Sequence, residues 1–371
     1  MEKQHITLNQ KNNQNKIHIV LTSSEYYIPY TCVCLISIIK KTKRNIQFHI
    51  LSNDISDQSK NMLNSIYKNI SYHKVDVTNY PIPKQSRAAS IVYSKLFLPT
   101  ILPDLDRVIV LDSDIIVLDD IEKIWDTNLK DNYVAWVKDP INIKLKSAFH
   151  VKKINLKYDY INSGVLLLNL KKYKEDGIEV KIWEKYKDYK DKISFFDQDM
   201  LYICLSEKCV YIDYIYNYLP TLEYQTNGIN DYCDKNAKII HYGTDKKPWF
   251  YPNSKFANIW WQYARQTPFY EEILARMIDF KLASINPKAN YSTEIELRNE
   301  LERIHFPNIN NQFKLTYIMN HLLKFRLKKF YYGFGKLFVF GDKYKEYNDK
   351  YEKAKKLIVD AQKMRRFYGR I

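Results

Sequence analysis

Short apolar runs alternate with segments of helical periodicity over most of this chain, and no other feature constrains its fold as strongly. Five apolar runs have strand length and lie at residues 17–22, 46–51, 107–111, 133–137 and 165–170. A helix is predicted at 26–41, a second helix is predicted to begin near Ser56, and a short strand is predicted around 72–75. The last three runs are apolar throughout rather than alternating, which indicates strands buried on both faces. The pattern predicts an α/β fold with a doubly wound sheet.

Length and composition fit a folded protein that carries an appendage. The chain has 371 residues, 46% of them hydrophobic and 27% charged, with 8 Gly and 12 Pro, which excludes a collagenous or wholly disordered chain. Its five cysteines are scattered without a CxxC pair and are predicted to be reduced core residues rather than disulfides or zinc ligands. Residues 1–16 are polar and predicted to be disordered, and no apolar run reaches the roughly 18 residues of a membrane span, so a cytoplasmic location is expected.

The net charge of +16 is concentrated towards the C-terminus. Residues 312–371 contain 16 Lys or Arg against five Asp or Glu, and therefore carry +11 of it. Within 314–340, six cationic residues are interleaved with Leu, Ile, Phe and Tyr, and there is no acidic residue. We predict that 313–371 forms a basic amphipathic helical region that binds an anionic membrane surface. A helix packed on the protein's own body is the alternative. Nucleic acid is not the expected partner, because no nucleic-acid-binding motif accompanies the charge.

Two carboxylates follow the apolar run 107–111 directly, in the triplet Asp112-Ser113-Asp114. At the carboxyl end of a strand, two such side chains can converge on one cation, and oxygen ligands suit Mg²⁺ or Mn²⁺ bound to a diphosphate. Other DxD triplets occur at 104–106 and 197–199, but only the central one lies between two strand-like runs. A strand ending in DxD also opens the haloacid-dehalogenase phosphatases, which need Thr or Val where Ile116 stands. No GxGxxG or GxxxxGK[ST] loop is present.

Four stretches in a fixed order carry a resemblance to a known family. They are LPDLDRVIVLDSDIIVLDDIEKIWD, INSGVLLLNLKKY, FFDQDML and IIHYGTDKKPW. Together they resemble the bacterial members of glycosyltransferase family eight, notably the lipopolysaccharide galactosyl- and glucosyltransferases. The resemblance implies a catalytic domain of the GT-A fold at 17–270, followed by a helical linker at 271–312. It also implies a UDP-hexose donor, Mn²⁺ or Mg²⁺ as the metal, and transfer with retention of anomeric configuration.

The resemblance also assigns metal ligands and a phosphate contact. Asp112, Asp114 and His241 match the family's metal ligands, and a nitrogen ligand beside carboxylates favours Mn²⁺ over Mg²⁺. Taken alone, a histidine at a strand end would more often be structural, but His241 precedes Lys247 by six residues. Lys247 matches the family lysine that contacts the diphosphate, and this spacing supports the assignment of His241 as a ligand.

The remaining matches surround the donor. Residues expected around the sugar are Asp139, Asn162, Ser163, Gly164, Asp197 and Gln198. Asp139 would bind hexose hydroxyls. The Asn-Ser-Gly triplet would contact the sugar, and its glycine would permit close backbone approach. Asp197 and Gln198 would flank the anomeric carbon. A helix N-cap is the structural alternative for Asp197. The predicted donor-binding set also includes Tyr27, which can stack on a base, and Thr22, Ser24, Lys95, Ser113 and Gly243.

Three positions depart from the family pattern. Ser24 stands where the family has an acidic residue that grips the uracil. Lys95 replaces an arginine, which keeps the charge but loses the bidentate geometry. In the predicted diphosphate-binding loop, Gly243 comes one place early and Thr244 stands where glycine is expected. Uridine recognition and the shape of this loop are the properties that these departures affect.

Retention of configuration leaves two mechanisms. A double displacement needs a nucleophile on the face of the sugar opposite the leaving group, and the amide oxygen of Gln198 is a weak one. We therefore favour front-side attack, in which the acceptor hydroxyl gives its proton to the departing phosphate oxygen while Gln198 and Asp197 stabilise positive charge on the sugar.

The sequence thus predicts a metal-dependent, retaining hexosyltransferase that adds galactose or glucose to a lipid-linked saccharide of the lipopolysaccharide type. It would act in the cytoplasm, peripherally on the inner face of the cell membrane. Two alternatives remain: an enzyme of the same fold that glycosylates protein, and a basic membrane- or nucleic-acid-binding protein whose catalytic site has decayed.

Overall fold

A computed structural model gives the structure of the protein and describes residues 16–76, 84–139, 154, 157–193, 195–220 and 229–284. These residues belong to one compact unit of the chain, Met1–Asn286. The predicted basic region 313–371, most of the predicted linker and nearly all of the polar N-terminal segment lie outside the described residues. Within the described ranges, no helix combines the length and apolar character that a bilayer span needs.

The described residues contain a seven-stranded mixed sheet and a two-stranded sheet. In chain order the strands are β1 (Ile17–Thr22), β2 (Ile46–Ser52), β3 (Ile70–Lys74), β4 (Arg107–Leu111), β5 (Ile115–Val117), β6 (Val134–Lys138), β7 (Ile161–Asn169), β8 (Cys209–Ile212) and β9 (Ile239–His241). The large sheet has the order β3-β2-β1-β4-β7-β6-β8, and β5 pairs antiparallel with β9. Strands β1 to β4 run parallel, whereas β7 is antiparallel to both its neighbours. The predicted doubly wound α/β sheet is confirmed.

Helices connect and cover the strands. In chain order they are α1 (Ile28–Lys41), α2 (Asp57–Ile66), α3 (Leu98–Ile101), α4 (Glu122–Trp125), α5 (Leu170–Glu175), α6 (Ile178–Tyr189), α7 (Phe196–Leu205), α8 (Ile229–Asn236), α9 (Ala257–Ala264) and α10 (Tyr270–Ser284), with 3₁₀ segments at Glu25–Tyr27, Lys84–Phe97 and Tyr214–Tyr216. Helix α2 begins where predicted, because the Ser56 hydroxyl accepts the Ser59 N–H at 3.1 Å and caps its first turn.

Both faces of the large sheet are buried, which explains the continuous apolar runs. On β4, Val108 and Val110 belong to one core cluster, whereas Ile109 and Leu111 belong to the cluster on the opposite face. Successive side chains of a strand point to opposite faces, so a strand covered on both sides needs apolar residues at every position. Helix α1 contributes Cys34 and its neighbours to the second cluster.

Strand bounds agree with the predictions to within two residues, except at the start of β7. Strands β1 and β4 have the predicted limits, but β7 begins at Ile161, four residues earlier than predicted. The extension comes from pairing with β6 across an irregularity between Trp136 and Val137, which aligns Val137 with Asn162. It brings the Asn-Ser-Gly triplet into the strand beside β4.

Candidate active site

The central DxD triplet lies immediately after β4 and is attached to three neighbouring elements. The Asp112 N–H donates to the carbonyl of Gly164 on β7 at 3.0 Å, and the Ser113 hydroxyl donates to the carbonyl of Thr22 at the end of β1 at 2.8 Å. The Asp114 carbonyl accepts the N–H of Tyr242, the residue after β9, at 2.9 Å. The carboxylates therefore project from a rigid corner where β1, β4, β7 and β9 meet.

His241 completes a group of side chains that can hold a metal ion. It is the last residue of β9, and its Nε2 lies 3.6 Å from Asp112 Oδ2 and 3.2 Å from Asp114 Oδ1. One ligand atom from each residue lies within 4.8 Å of the other two, and no other group of this kind occurs among the described residues. Two carboxylate oxygens and an imidazole nitrogen suit a divalent cation such as Mn²⁺, so the chemistry of the donor set fits the expected metal.

The imidazole of His241 packs so closely against Gly164 and Gly243 that neither position has space for a Cβ. A Cβ added at Gly164 would lie 2.3 Å from His241 Cε1, and one added at Gly243 would lie 2.9 Å from Cε1 and Nε2. The neighbour that leaves no space for a side chain at Gly164 is therefore the His241 ring. Its Nδ1 lies 2.9 Å from the Oδ1 of Asn217, a buried residue that sequence reasoning missed because no motif surrounds it.

Two lysines, Lys95 buried and Lys247 partly buried, neutralise the carboxylates. Lys95 is 2% exposed and its Nζ lies 3.2 Å from Asp112 Oδ1 and 2.8 Å from Asp197 Oδ2. Burial alone would lower the pKa of Lys95, but the two carboxylates outweigh burial and raise it. Lys247 pairs with Asp114 and donates to the Tyr242 carbonyl at 2.7 Å, and Asp114 raises the pKa of Lys247 against the effect of burial.

The pKa of Asp114 is lowered, whereas the pKa values of the two lysines are raised. Burial alone would raise the pKa of Asp114, but the ammonium of Lys247 and the adjacent His241 ring outweigh burial and hold the pKa of this carboxyl well below its usual value. Asp114 is therefore ionised at neutral pH, as a metal ligand must be.

Helix α7 brings Asp197 and Gln198 against β7. The Ser163 N–H donates to Gln198 Oε1 at 3.0 Å, and the Ser163 hydroxyl donates to Asp197 Oδ2 at 3.1 Å. Phe195 occupies the N-cap position and Asp197 lies in the first turn, so the N-cap alternative for Asp197 is wrong. Asp199, the second carboxylate of that triplet, is fully buried and accepts the Phe195 N–H at 2.8 Å, which accounts for it as a structural residue.

The predicted nucleotide-binding residues lie at the end of β1. Ser24 is in an extended conformation, and its carbonyl accepts the Tyr27 N–H at 2.8 Å to close the turn that follows. The half-buried Tyr27 ring contacts Trp249 edge to face at 6.1 Å between centroids. Burial raises the pKa of Tyr27, and the charge of Lys247 acts in the opposite direction. The Tyr27 hydroxyl is therefore close enough to Lys247 to interact with it electrostatically.

Asp139 comes from a different element. It follows β6, its side chain is 8% exposed, and its N–H donates to the Tyr160 carbonyl at 2.8 Å. Thr244 lies in the loop after β9, next to Gly243. Of the predicted site residues, direct contacts thus join those on β4, β7, β9, α7 and the Lys84–Phe97 segment into one network.

A parallel-dominated mixed sheet with paired carboxylates after a central strand is the arrangement of the GT-A fold. The family model for glycosyl transferase family 8 matches residues 18–252, and the chain belongs to this family.

Relatives and solved structures agree with this assignment. A Haemophilus influenzae protein assigned as a glycosyltransferase is 29% identical over 243 residues, covering 63% of this chain and 73% of that protein. A lipopolysaccharide 1,2-glucosyltransferase of Escherichia coli is 26% identical over 243 residues, covering 61% and 70%. The crystal structure of the galactosyltransferase LgtC with donor and acceptor sugar analogues superposes with a TM-score of 0.58 at 25% identity, covering 68% of this chain and 96% of that one.

Proposed function

We propose that this protein is a metal-dependent, retaining hexosyltransferase that moves galactose or glucose from a UDP-sugar to a saccharide of the lipopolysaccharide type. The observation that carries the proposal is the group formed by Asp112, Asp114 and His241, with Lys247 directly beside it. Departure of a nucleoside diphosphate develops negative charge, and a cation with an adjacent ammonium group stabilises that charge.

The metal ligands would be Asp112, Asp114 and His241, and Mn²⁺ bound there would neutralise the diphosphate leaving group. Lys247 would contact the same phosphates. Its present partner is Asp114, so binding of a diphosphate would give the ammonium a second anion without requiring the side chain to leave its position.

The donor nucleotide would lie over the end of β1. Tyr27 would stack on the uracil, with Thr22, Ser24 and Ser113 lining the site and Gly243 admitting the diphosphate. The edge-to-face contact of Tyr27 with Trp249 supports this role, because it holds the tyrosine ring in one orientation before the base arrives.

The donor sugar would lie between β7 and α7. Asp139, Asn162, Ser163 and Lys95 would contact the hexose, and Asp197 and Gln198 would flank its anomeric carbon. The bond from Ser163 N–H to Gln198 Oε1 supports this placement, since it fixes the amide at a defined position.

We propose front-side attack as the mechanism. The bond between the anomeric carbon and the phosphate oxygen breaks, the acceptor oxygen bonds to the same face, and the acceptor proton passes to the departing phosphate oxygen. The contacts of Asp197 with Lys95 and the Ser163 hydroxyl support it, because both partners donate to Oδ2 and reduce the nucleophilicity of the carboxylate. A covalent glycosyl adduct on Asp197, detected by mass spectrometry of the intact protein, would contradict front-side attack.

The relatives and the charge support the proposed acceptor and location. The E. coli relative is a lipopolysaccharide glucosyltransferase, which supports a lipid-linked saccharide as the acceptor. The basic residues after 312 support binding to the anionic inner face of the membrane that holds such an acceptor.

Donor hydrolysis tests the proposed function. Purified protein with Mn²⁺ is incubated with a panel of nucleotide sugars, and release of nucleoside diphosphate is measured for the wild type, Asp112→Asn and Asp104→Asn. We expect release from UDP-glucose or UDP-galactose, a loss of about 100-fold or more in Asp112→Asn, and a change of less than about twofold in Asp104→Asn, whose exposed carboxylate belongs to a different DxD triplet. The proposed function would be refuted if the wild type neither binds nor hydrolyses any nucleotide sugar and if Asp112→Asn changes neither property.

A further inference from the structure

A chain of hydrogen bonds leads from the backbone of β7 to the metal-ligand histidine. The Gly164 N–H donates to Asn162 Oδ1 at 3.0 Å, Asn217 Nδ2 donates to the same oxygen at 2.8 Å, and Asn217 Oδ1 lies 2.9 Å from His241 Nδ1. Asn217 and His241 are 2% and 3% exposed, so the bond between them is shielded from water.

The chain has only one consistent direction. A backbone N–H can only donate, so the Asn162 atom that receives it must be the carbonyl oxygen. Because an oxygen acceptor needs a donor, the Asn217 atom facing Asn162 must be the amide nitrogen. The remaining Asn217 atom is therefore its carbonyl oxygen, and it requires a proton on His241 Nδ1.

In the neutral imidazole, a proton on Nδ1 leaves His241 Nε2 without one. Nε2 is the nitrogen that faces Asp112 and Asp114, at 3.6 and 3.2 Å. A lone pair directed at two carboxylate oxygens makes no hydrogen bond with them, but all three atoms can bind one cation. The alternative tautomer would instead donate from Nε2 to a carboxylate and would lose the bond to Asn217.

We propose that Asn217 is a positioning residue that holds His241 in the Nδ1–H tautomer, with Nε2 directed at the metal. The inference rests on the proposed metal dependence of the enzyme. Asn217 contributes no ligand atom itself; it acts through His241, and it joins the metal site to Asn162 on the strand expected to face the donor sugar.

Manganese binding to the full-length protein tests this directly. Free Mn²⁺ is quantified by electron paramagnetic resonance during titration, with and without saturating UDP, for the wild type, Asn217→Leu and Asn217→Asp. Leucine is similar in size and makes no hydrogen bond, so we expect its Kd for Mn²⁺ to rise about 10- to 100-fold. Aspartate keeps the oxygen that accepts from Nδ1 but loses the donor to Asn162, so we expect it to restore part of the affinity that leucine loses.

Two further measurements separate positioning from general damage. In a His241→Ala background, Asn217→Leu should change the Kd by less than about twofold, because the residue through which it acts is gone. In the ¹⁵N-histidine spectrum of the wild type, the His241 signals, identified by their loss in His241→Ala, should report a proton on Nδ1.

Three outcomes would overturn the inference: an unchanged Kd in Asn217→Leu, an equal loss of affinity with and without His241, or a proton on Nε2. Failure of the wild type to bind Mn²⁺ under any of these conditions would instead refute the metal-dependent function itself.

Discussion

Lys95 shows how a single residue determines the charge balance of this site. The family resemblance places an arginine at this position, and the buried ammonium of Lys95 lies between Asp112, a proposed metal ligand, and the candidate catalytic Asp197. An ammonium is a compact point charge that can serve two carboxylates arranged around it, whereas a guanidinium imposes planar fork geometry. The substitution therefore keeps both carboxylates paired, although sequence alone showed only that the charge was retained.

Lys95→Met is expected to destabilise the protein. Removing the buried cation leaves Asp112 and Asp197 facing each other without compensation, which should lower the free energy of unfolding by about 3 kcal/mol. Urea denaturation checks this value. Lys60→Met is the control, because Lys60 pairs with Asp57 on the surface and should cost less than about 1 kcal/mol. Equal losses in the two variants would contradict the role assigned to Lys95.

Three histidines on adjacent strands form a second buried polar chain, outside the candidate site. His18 Nδ1 lies 3.0 Å from His49 Nε2, and His49 Nδ1 lies 3.1 Å from His73 Nε2. Burial, with the neighbouring rings, lowers the pKa of His49 to about 3. Burial likewise lowers the pKa of His73. The folded protein thus resists protonation of His49 that the unfolded chain accepts near pH 6.5.

Stability should therefore fall as the pH drops from about 6.5 towards 3. The stabilisation from neutral His49 is fully present above the unfolded-state pKa, and at pH 5 about 2 kcal/mol of it should be lost. Denaturation at pH 7 and pH 5 measures the difference. In His49→Gln the pH 5 penalty should shrink by roughly that amount, and in the less buried His73→Gln by less. Identical pH dependence in the wild type and His49→Gln would argue against the assignment.

At the level of elements, the turn that carries Tyr27 is held from two sides. Glu25 accepts the Ser56 and Ser59 hydroxyls at 2.8 Å at the start of α2. On the other side, the Arg276 guanidinium of α10 donates to the Tyr26 carbonyl and lies 4.3 Å from the Tyr26 ring centre. Helix α10 lies beyond the residues that match the family model, so this contact could not be inferred from family motifs.

Arg276→Ala is expected to weaken donor binding rather than the chemical step. Loss of the guanidinium frees one side of the turn, and we expect the KM for the UDP-sugar to rise about tenfold, or about 1.4 kcal/mol, with kcat within about twofold. Steady-state kinetics of donor hydrolysis measure both constants. Arg44→Ala is the matched control, because Arg44 forms comparable ion pairs with Glu122 and Asp126 beyond the opposite end of α1. A fall in kcat at unchanged KM would contradict the role of this turn in donor binding.

For the whole molecule, most of the net positive charge lies in a different part of the chain from the candidate site. The last 60 residues carry +11 of the +16, which leaves the portion containing the candidate site close to balanced. Membrane binding and sugar transfer should therefore be separable properties of the chain.

Deletion of 313–371 tests that separation. The shortened protein should no longer sediment with anionic liposomes at moderate salt, while its donor hydrolysis stays within about twofold of the full chain. Neutral liposomes are the control, and raising the salt should release the full chain because screening shortens the range of surface charges to a few ångströms. Liposome binding that survives the deletion would reject the tail as the membrane-binding region.

The amino-acid sequence by itself determined the strand-forming runs, the carboxylate pair after β4 and the class of fold, because apolar periodicity and turn-flanked motifs are local properties. Only the tertiary structure decided which residues meet. Asp114 and His241 approach to 3.2 Å because β5 pairs with β9, and Asn217 reaches the ring of His241 from a segment with no motif of its own. Such contacts depend on sheet order and on space left by glycine side chains, which no short stretch of sequence encodes.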